Sequence, residues 1–366
     1  MRPVFSSTKQ AAGFALLLLL LVTAPWLAGK HFLPPREAVY SSTAWRFGSY
    51  PWLERQIFHE TNDIDIAFMG SSHAWYGINT PYVQKELSRQ LGREATVRTM
   101  CWYWPGFDPL YYIAKDLMEH RKVRLLVFCN EEPVANARPQ ALSHRWFRFG
   151  DGAADAAGLP GRTRLSLYAG AVLGMPRNLL CLLRCDMPVN LDPDYDDFYK
   201  TQYQAVNPMT RLGSLAIPLA FHYQTNFTKY QPEHPVSAAS VCTYSPQTRG
   251  NFEFETQALQ PTSLYFLKKL AALAQKNGTK LLILHFPETN EFNSPKIPER
   301  FNWPELLEPS VRLVGVPGAA LFSGMTDQEK LLLFCDPDHL NQNGQEFFTP
   351  IITPALIKAY ETDVKN

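Results

Sequence analysis

The stretch FMGSSHAWYG, residues 68–77, places two serines and a histidine at the point where an apolar run ends. The apolar run DIDIAFMG, which leads into it, predicts a short buried strand. Serine and glycine are frequent in strand-to-helix turns for purely local reasons, so a polar turn would explain this stretch by itself. Whether the stretch carries chemistry depends on what the rest of the chain brings to the same edge of the sheet.

Strand and helix patterns alternate after this stretch. TPYVQKELSRQLG predicts a helix, with Thr80 as a possible N-cap, Pro81 at the first helical position and Gly92 at the end. ATVRTMCW and VRLLVFCN predict two further strands, and DPLYYIAKDLMEHR predicts the helix between them. This strand, helix, strand, helix, strand order implies parallel pairing through right-handed crossovers, and therefore an α/β domain.

The same pattern resumes near the end of the chain. PTSLYFLKKLAALAQKNG predicts a helix, TKLLILHFP a strand, and EKLLLFCD either a helix end or a strand. QEFFTPIITPALIKAY predicts a helix that Pro350 and Pro354 interrupt. Residues 136–260 lie between the two halves and lack clean periodicity. A structureless loop of that length is implausible, so we predict a large insertion with short elements of its own over the active-site face of the sheet.

The amino-terminal segment differs from the rest of the chain. Ala11–Gly29 carries no charge, and a helix of that length would span about 28 Å, close to one hydrocarbon core. Arg2 and Lys9 precede it, as expected of a cytoplasmic flank. A cleaved signal peptide is the alternative, although Pro25 directly after the sequence VTA is unfavourable for cleavage. Both interpretations place residues 31–366 outside the cytoplasm.

Length and composition set the wider frame. We predict a cytoplasmic stub and transmembrane anchor over residues 1–30, a lead-in over 31–61 and an α/β domain over 62–366. The formal charge of +1 gives no reason to expect nucleic acid as a partner. The six cysteines show no zinc-site spacing, so we expect neither a metal nor another cofactor. Cys129 and Cys335 end apolar runs and are expected to be buried.

A second polar stretch, FCDPDHLNQNGQEFF at residues 334–348, gives the serines a potential partner. Asp336 and His339 are three residues apart, a spacing that lets a carboxylate reach an imidazole within one turn. Such a carboxylate fixes the ring tautomer and leaves the other ring nitrogen as a base toward a serine. Asp338 is the alternative carboxylate. The combination predicts a Ser-His-Asp triad, and it does not fit an α/β-hydrolase because Ser72 is not followed by the x-Gly of Gly-x-Ser-x-Gly.

With these motifs the chain resembles the SGNH (GDSL-like) hydrolase superfamily, and is most similar to the membrane-anchored extracytoplasmic branch with DltD-type and alginate O-acetylation proteins. The resemblance covers residues 62–135 and 260–350. It implies a flavodoxin-like three-layer sandwich, Ser72 rather than Ser71 as nucleophile, and His339 and Asp336 as its partners. It also implies an oxyanion hole formed by Ser72, Gly106 and Asn130, although the block around Asn130 departs from the family's Gly-x-Asn-Asp.

The resemblance implies a periplasmic serine O-acyltransferase or acylesterase, anchored in the inner membrane, that acts on cell-envelope polysaccharide, with a membrane-bound O-acyltransferase as a possible partner. His73, His285 and Trp104 are candidate substrate-binding residues, although a histidine at the position of His285 is more often a packed residue. Two alternatives stay open at this point: a lipase or esterase on small or lipid esters, and a non-catalytic scaffold of an envelope-polymer complex. The acyl donor and acceptor are not readable from these residues.

Overall fold

The structure is a computed structural model, and it describes residues 5–28, 36–41, 53–101, 107–129, 157–166, 240–244, 250–255, 257–301, 303 and 311–362. The chain divides into two compact units. One combines Met1–Trp45 with Ala137–Pro188, and the other combines Arg46–Asn136 with Val189–Asn366. Most of the predicted insertion at 136–260 lies outside the described residues.

The first unit contains the amino-terminal helix. Helix α1 runs over Thr8–Ala28 and helix α2 over Arg36–Ser41, and a short helix covers residues 161–166. The side chains of Phe14 and of the leucines at 16–20 are exposed on α1. No helix in the described ranges is both long enough and apolar enough to span a bilayer. A transmembrane anchor over Ala11–Gly29 therefore stays a prediction.

The second unit contains all the strands of the described chain. They are β1 (Ile64–Gly70), β2 (Val97–Cys101), β3 (Val123–Cys129), β4 (Cys242–Tyr244), β5 (Phe252–Phe254), β6 (Lys280–Leu284), β7 (Ile297–Glu299) and β8 (Val311–Gly315). A π-helical turn over Arg55–His59 precedes β1. The helices are α3 (Ser72–Gly77), α4 (Thr80–Leu91), α5 (Phe107–His120), α6 (Pro261–Lys276), α7 (Gly318–Leu321), α8 (Asp327–Leu331) and α9 (Gln342–Glu361).

The central sheet has the strand order β2-β1-β3-β6-β8-β4. Its first five strands are parallel, and β4 pairs antiparallel with β8 at the edge. The prediction of an α/β fold with a mostly parallel sheet is therefore confirmed. Strand β1 has β2 on one side and β3 on the other, so the chain reverses its direction of winding at the carboxyl end of β1. Such a switch point opens a crevice in which α/β proteins bind ligands.

Helices cover both faces of this sheet. On one face, Ile66 and Phe68 of β1 belong to the same buried cluster as Val83 of α4 and Ile352 of α9. Because strand side chains alternate, Ala67 and Met69 point to the opposite face, where α5 packs on α6. Every residue of β1 is buried, as expected for a parallel strand enclosed by two helical layers.

Helix ends explain where the elements begin and end. Gly92 ends α4 in the left-handed conformation at φ 63°, as predicted, and Gly278 follows α6 at φ 66°. The predicted N-cap Thr80 is wrong, because Asn79 is the cap and its Oδ1 accepts a hydrogen bond from Tyr82 N at 3.1 Å. Asn79 and Thr80 are both good capping residues, so the sequence alone does not indicate which of them is the N-cap.

Two ambiguous segments are also resolved. EKLLLFCD is a helix end, because α8 stops at Leu331 and the chain then forms an isolated antiparallel bridge between Phe334 and Leu340. Cys129 is buried as predicted, whereas Cys335 is only half-buried. Burial, together with the nearby Asp336 carboxylate, raises the pKa of the Cys335 thiol to about 11.

Candidate active site

The GSSH turn lies at the carboxyl end of β1, at the switch point of the sheet. Ser71 is buried and caps α3, because its Oγ accepts a hydrogen bond from the backbone N–H of His73 at 3.3 Å. His73 Nδ1 lies 3.4 Å from the same oxygen. Ser72 is the first residue of α3, and the structure describes its backbone but not its side chain. The short helix thus places the Ser72 backbone directly after the end of β1.

The DPDH turn is built by its own carboxylate. Asp336 Oδ1 accepts hydrogen bonds from the backbone N–H of Asp338 at 2.9 Å and of His339 at 2.8 Å. The backbone N–H of Cys335 donates to the carbonyl of His339 at 2.9 Å and closes the loop. An aspartate that bonds backbone groups two and three residues ahead is a frequent way to order such a turn. The same bonds leave the Asp336 carboxylate facing the His339 ring.

Asp336, rather than Asp338, holds the His339 imidazole. Nδ1 of His339 lies 2.8 Å from both carboxylate oxygens of Asp336. Partial burial would raise the pKa of Asp336. The hydrogen bonds from the Asp338 backbone and from the His339 ring and backbone outweigh that effect and hold the pKa below its usual value. The carboxylate therefore stays ionised, and it favours the tautomer of His339 that carries its proton on Nδ1 and leaves Nε2 as a base.

The two polar stretches, separated by more than 250 residues, meet in space. The rings of His73 and His339 are stacked, with their centroids 4.5 Å apart and an angle of 19° between the planes. Tyr76 of α3 presents its edge to the His339 ring at 5.5 Å and 87°. His339 is thus held against the helix that begins at Ser72. The sequence could suggest this contact between His73 and His339 but could not establish it.

A cavity of about 530 Å³ opens beside this pair. His73 and Asp338 form one part of its lining, and Glu288 and Arg300 form another. Arg300 Nη2 donates to Glu288 Oε2 at 2.9 Å. Burial nevertheless raises the pKa of Glu288, and the neighbouring carboxylates add to this effect against the attraction of Arg300. The cavity wall next to the dyad is therefore strongly polar.

A buried ion cluster forms another part of the cavity wall. His285 Nε2 lies 2.7 Å from Glu291 Oε2, and His285 Nδ1 lies 3.3 Å from Glu299 Oε1. All three residues are less than 5% exposed. Burial alone would lower the pKa of His285, but the two carboxylates reverse this and raise it to about 10. His285 is therefore a protonated packing residue that ties β6 to β7, and any substrate contact through its ring nitrogens would have to displace a carboxylate.

The cluster also connects to the DPDH turn. Glu291 is the last residue of the 3-10 turn Thr289–Glu291. The backbone N–H of Thr289 donates to the carbonyl of Pro337 at 2.9 Å. Gly318 packs closely on the same turn, since a Cβ there would lie 1.8 Å from the carbonyl oxygen of Glu291. The loop that follows β6 thereby supports the turn that carries His339.

Several predicted site residues cannot be placed. Gly106, Asn130 and Trp104 lie outside the described residues. Sequence reasoning missed Tyr76, Glu288 and Arg300 among the residues around His339 and the cavity. Glu288 stands four residues after the end of β6, so the strand-end rule that selected Ser72 would also have selected it. Arg300 gave no comparable signal, because it directly follows the three-residue strand β7, which the sequence pattern does not show.

Comparisons with family models, with curated proteins and with solved structures found no match to this chain.

Proposed function

We propose that this protein is a serine acyl-ester enzyme, either an O-acyltransferase or an acylesterase. The observation that carries the proposal is the contact between the two turns: Asp336 orients His339, whose ring stacks on the residue directly after Ser72. A strand-end serine, an imidazole with one nitrogen on a carboxylate, and a cavity beside them are the parts that acyl transfer requires.

The chemistry follows from these positions. His339 Nε2 takes the proton of the Ser72 hydroxyl as Oγ attacks the acyl carbonyl carbon. The tetrahedral intermediate then collapses, the bond to the leaving alkoxide breaks, and His339 returns the proton to that oxygen. The acyl-enzyme is resolved by a second hydroxyl, from a sugar or from water, which His339 deprotonates in turn. The ionised Asp336 stabilises the imidazolium in both half-reactions.

The oxyanion that forms on the acyl carbonyl needs hydrogen-bond donors. The backbone N–H of Ser72 is unused by strand pairing because it begins α3, and the resemblance assigns Gly106 and Asn130 as the other donors. Loss of one such donor reduces the rate about 10²- to 10³-fold. The fold in this proposal is the SGNH, flavodoxin-like sandwich, supported by the parallel sheet and by the site at its switch point.

We further propose a carbohydrate acceptor in the cell envelope, outside the cytoplasm. The cavity next to His73 is lined by charged side chains such as Glu288 and Arg300, which suit a hydroxyl-rich ligand better than a lipid chain. The uncharged Ala11–Gly29 segment supports anchoring at the inner membrane, with a membrane-bound O-acyltransferase as a candidate partner.

Reaction of the full chain with a serine-specific phosphonate, followed by intact-mass analysis, tests the proposal. We expect one adduct on the parent, no adduct on Ser72→Ala, and a retained adduct on Ser71→Ala, because Ser71 caps α3 instead of attacking. The folded state of each variant is checked by circular dichroism. No adduct on the folded parent would leave the scaffold alternative as the better account, whereas an adduct that persists in folded Ser72→Ala would contradict Ser72 as the nucleophile.

A further inference from the structure

Two buried arginines lie at the end of the sheet opposite the candidate active site. Arg98 is the second residue of β2, and Arg121 stands two residues before β3 begins. Gln56, in the π-helical turn before β1, lies between them. The seven residues of the neighbouring strand β1 span about 20 Å, so this cluster is well separated from the GSSH turn.

The two guanidinium groups share one neutral acceptor. Arg98 Nε donates to Gln56 Oε1 at 2.9 Å, and Arg121 Nη1 donates to the same oxygen at 3.2 Å and to the Gln56 carbonyl at 2.7 Å. Arg121 Nε donates to the Asn62 carbonyl at 2.7 Å. Arg98 is 9% exposed and Arg121 is 4% exposed. Two positive charges are thus held close together in a largely dry environment.

This cluster has no carboxylate in direct contact. Within the described part of the chain, no acidic side chain lies within the 4.0 Å of an ion pair with Arg98 or Arg121. Arg121 Nη2 is buried and has no hydrogen-bond partner there. Buried arginines are normally paired, and an unpaired donor on a buried charge is costly. Burial, and after it the charge of Arg98, lower the pKa of Arg121 to about 10, against the attraction of Glu60 and Asp63 from beyond ion-pair distance.

We propose that this cluster is a binding site for a small oxyanion, of the phosphate or carboxylate class. A guanidinium presents its N–H groups in a planar fork that fits both kinds of anion. A bound anion would give Arg121 Nη2 its missing acceptor and offset the charge that Gln56 leaves uncompensated. Because Gln56 belongs to the π-helical turn, occupancy of the site would stabilise the segment that leads into β1.

Thermal unfolding of the full chain in potassium phosphate, and separately in potassium acetate, tests this site. Potassium chloride at the same ionic strength serves as the reference. We expect the unfolding midpoint to rise by about 2–4 °C at a tenfold excess over the dissociation constant. A rise with phosphate alone would indicate a tetrahedral anion, and a rise with acetate alone a carboxylate. Equal midpoints in all three salts would overturn the proposal.

Two variants separate binding at this site from general salt effects. Gln56→Glu places a carboxylate between the arginines without changing the side-chain shape, so it should raise the midpoint in chloride and remove most of the further rise with the effective anion. Arg312→Gln removes one exposed arginine from β8 and should keep the full anion response. If Gln56→Glu kept the full response, or if Arg312→Gln lost it, the anion would bind elsewhere and the proposal would fail.

Discussion

Replacement of His285 by glutamine should destabilise the protein strongly, because it removes the cation that contacts the buried carboxylates of Glu291 and Glu299. Both contacts are short, at 2.7 Å and 3.3 Å, and the three side chains are at most 5% exposed. Loss of one partner of a buried pair typically costs 3–5 kcal/mol, so we expect His285→Gln to lower the free energy of unfolding by about that amount at pH 7. Chemical denaturation followed by circular dichroism measures it.

The pH dependence of that loss identifies its cause. The pKa of His285 is raised in the folded protein to about 10, so its contribution is complete below its unfolded value near 6.5 and is lost as the pH rises through about 10. The difference in stability between parent and variant should therefore shrink as the pH rises from about 6.5 toward about 10.

An exposed histidine provides the matched control. His59 Nε2 lies 3.9 Å from Glu54 Oε1, but the His59 side chain is 56% exposed. His59→Gln should therefore change the stability by less than about 1 kcal/mol. If His285→Gln behaved like His59→Gln, or if its loss of stability were the same at pH 7 and pH 10, the buried ion cluster would not be the cause.

Two further substitutions test the packing around the site and the base of the sheet. Gly318→Ala forces a Cβ to within 1.8 Å of the Glu291 carbonyl oxygen and should destabilise the protein by about 1–3 kcal/mol or more. Gly250→Ala, which has open space at its Cβ, should be nearly neutral. Equal unfolding midpoints in denaturant for the two variants would refute this prediction. Tyr360→Phe removes a hydroxyl that donates to the buried Asp65 at 2.6 Å, so it should lower the free energy of unfolding by about 1–3 kcal/mol. The same denaturation measurement tests this. No loss of stability would show that the Asp65 carboxylate does not need the Tyr360 hydroxyl.

The parallel α/β sheet was predictable because the sequence patterns of its strands and helices are local. Strand β1 is a continuous apolar run, and the run of alternating strands and helices after it permits little besides a parallel α/β sheet. The antiparallel edge strand β4 was not predictable, because it has three residues and depends on pairing with a strand about 70 residues away. The cap at Asn79 was missed for a similar reason, since its neighbour Thr80 has nearly the same capping ability.

The candidate site was predictable only in its two motifs. The three-residue spacing of Asp336 and His339 is a property of one turn, so their contact could be expected before any fold was known. The stacking of His73 on His339 depends on how the two ends of the chain come together, which no local pattern encodes. Arg300 was missed because it follows a three-residue strand that the sequence pattern does not show, whereas Glu288, four residues after β6, could have been selected by the strand-end rule.

We propose that Asp336 and His339 activate Ser72. The rate of phosphonate modification measures this activation most directly. The second-order rate constants of the parent, Asp336→Asn and Asp338→Asn are compared at pH 7 by intact mass. Loss of the orienting carboxylate in a triad reduces the rate by up to about 10⁴-fold, so we predict a large decrease for Asp336→Asn. Asp338→Asn should retain most of the rate, because the carboxylate that contacts His339 Nδ1 with both oxygens belongs to Asp336. Equal rates for the parent and Asp336→Asn would contradict the account.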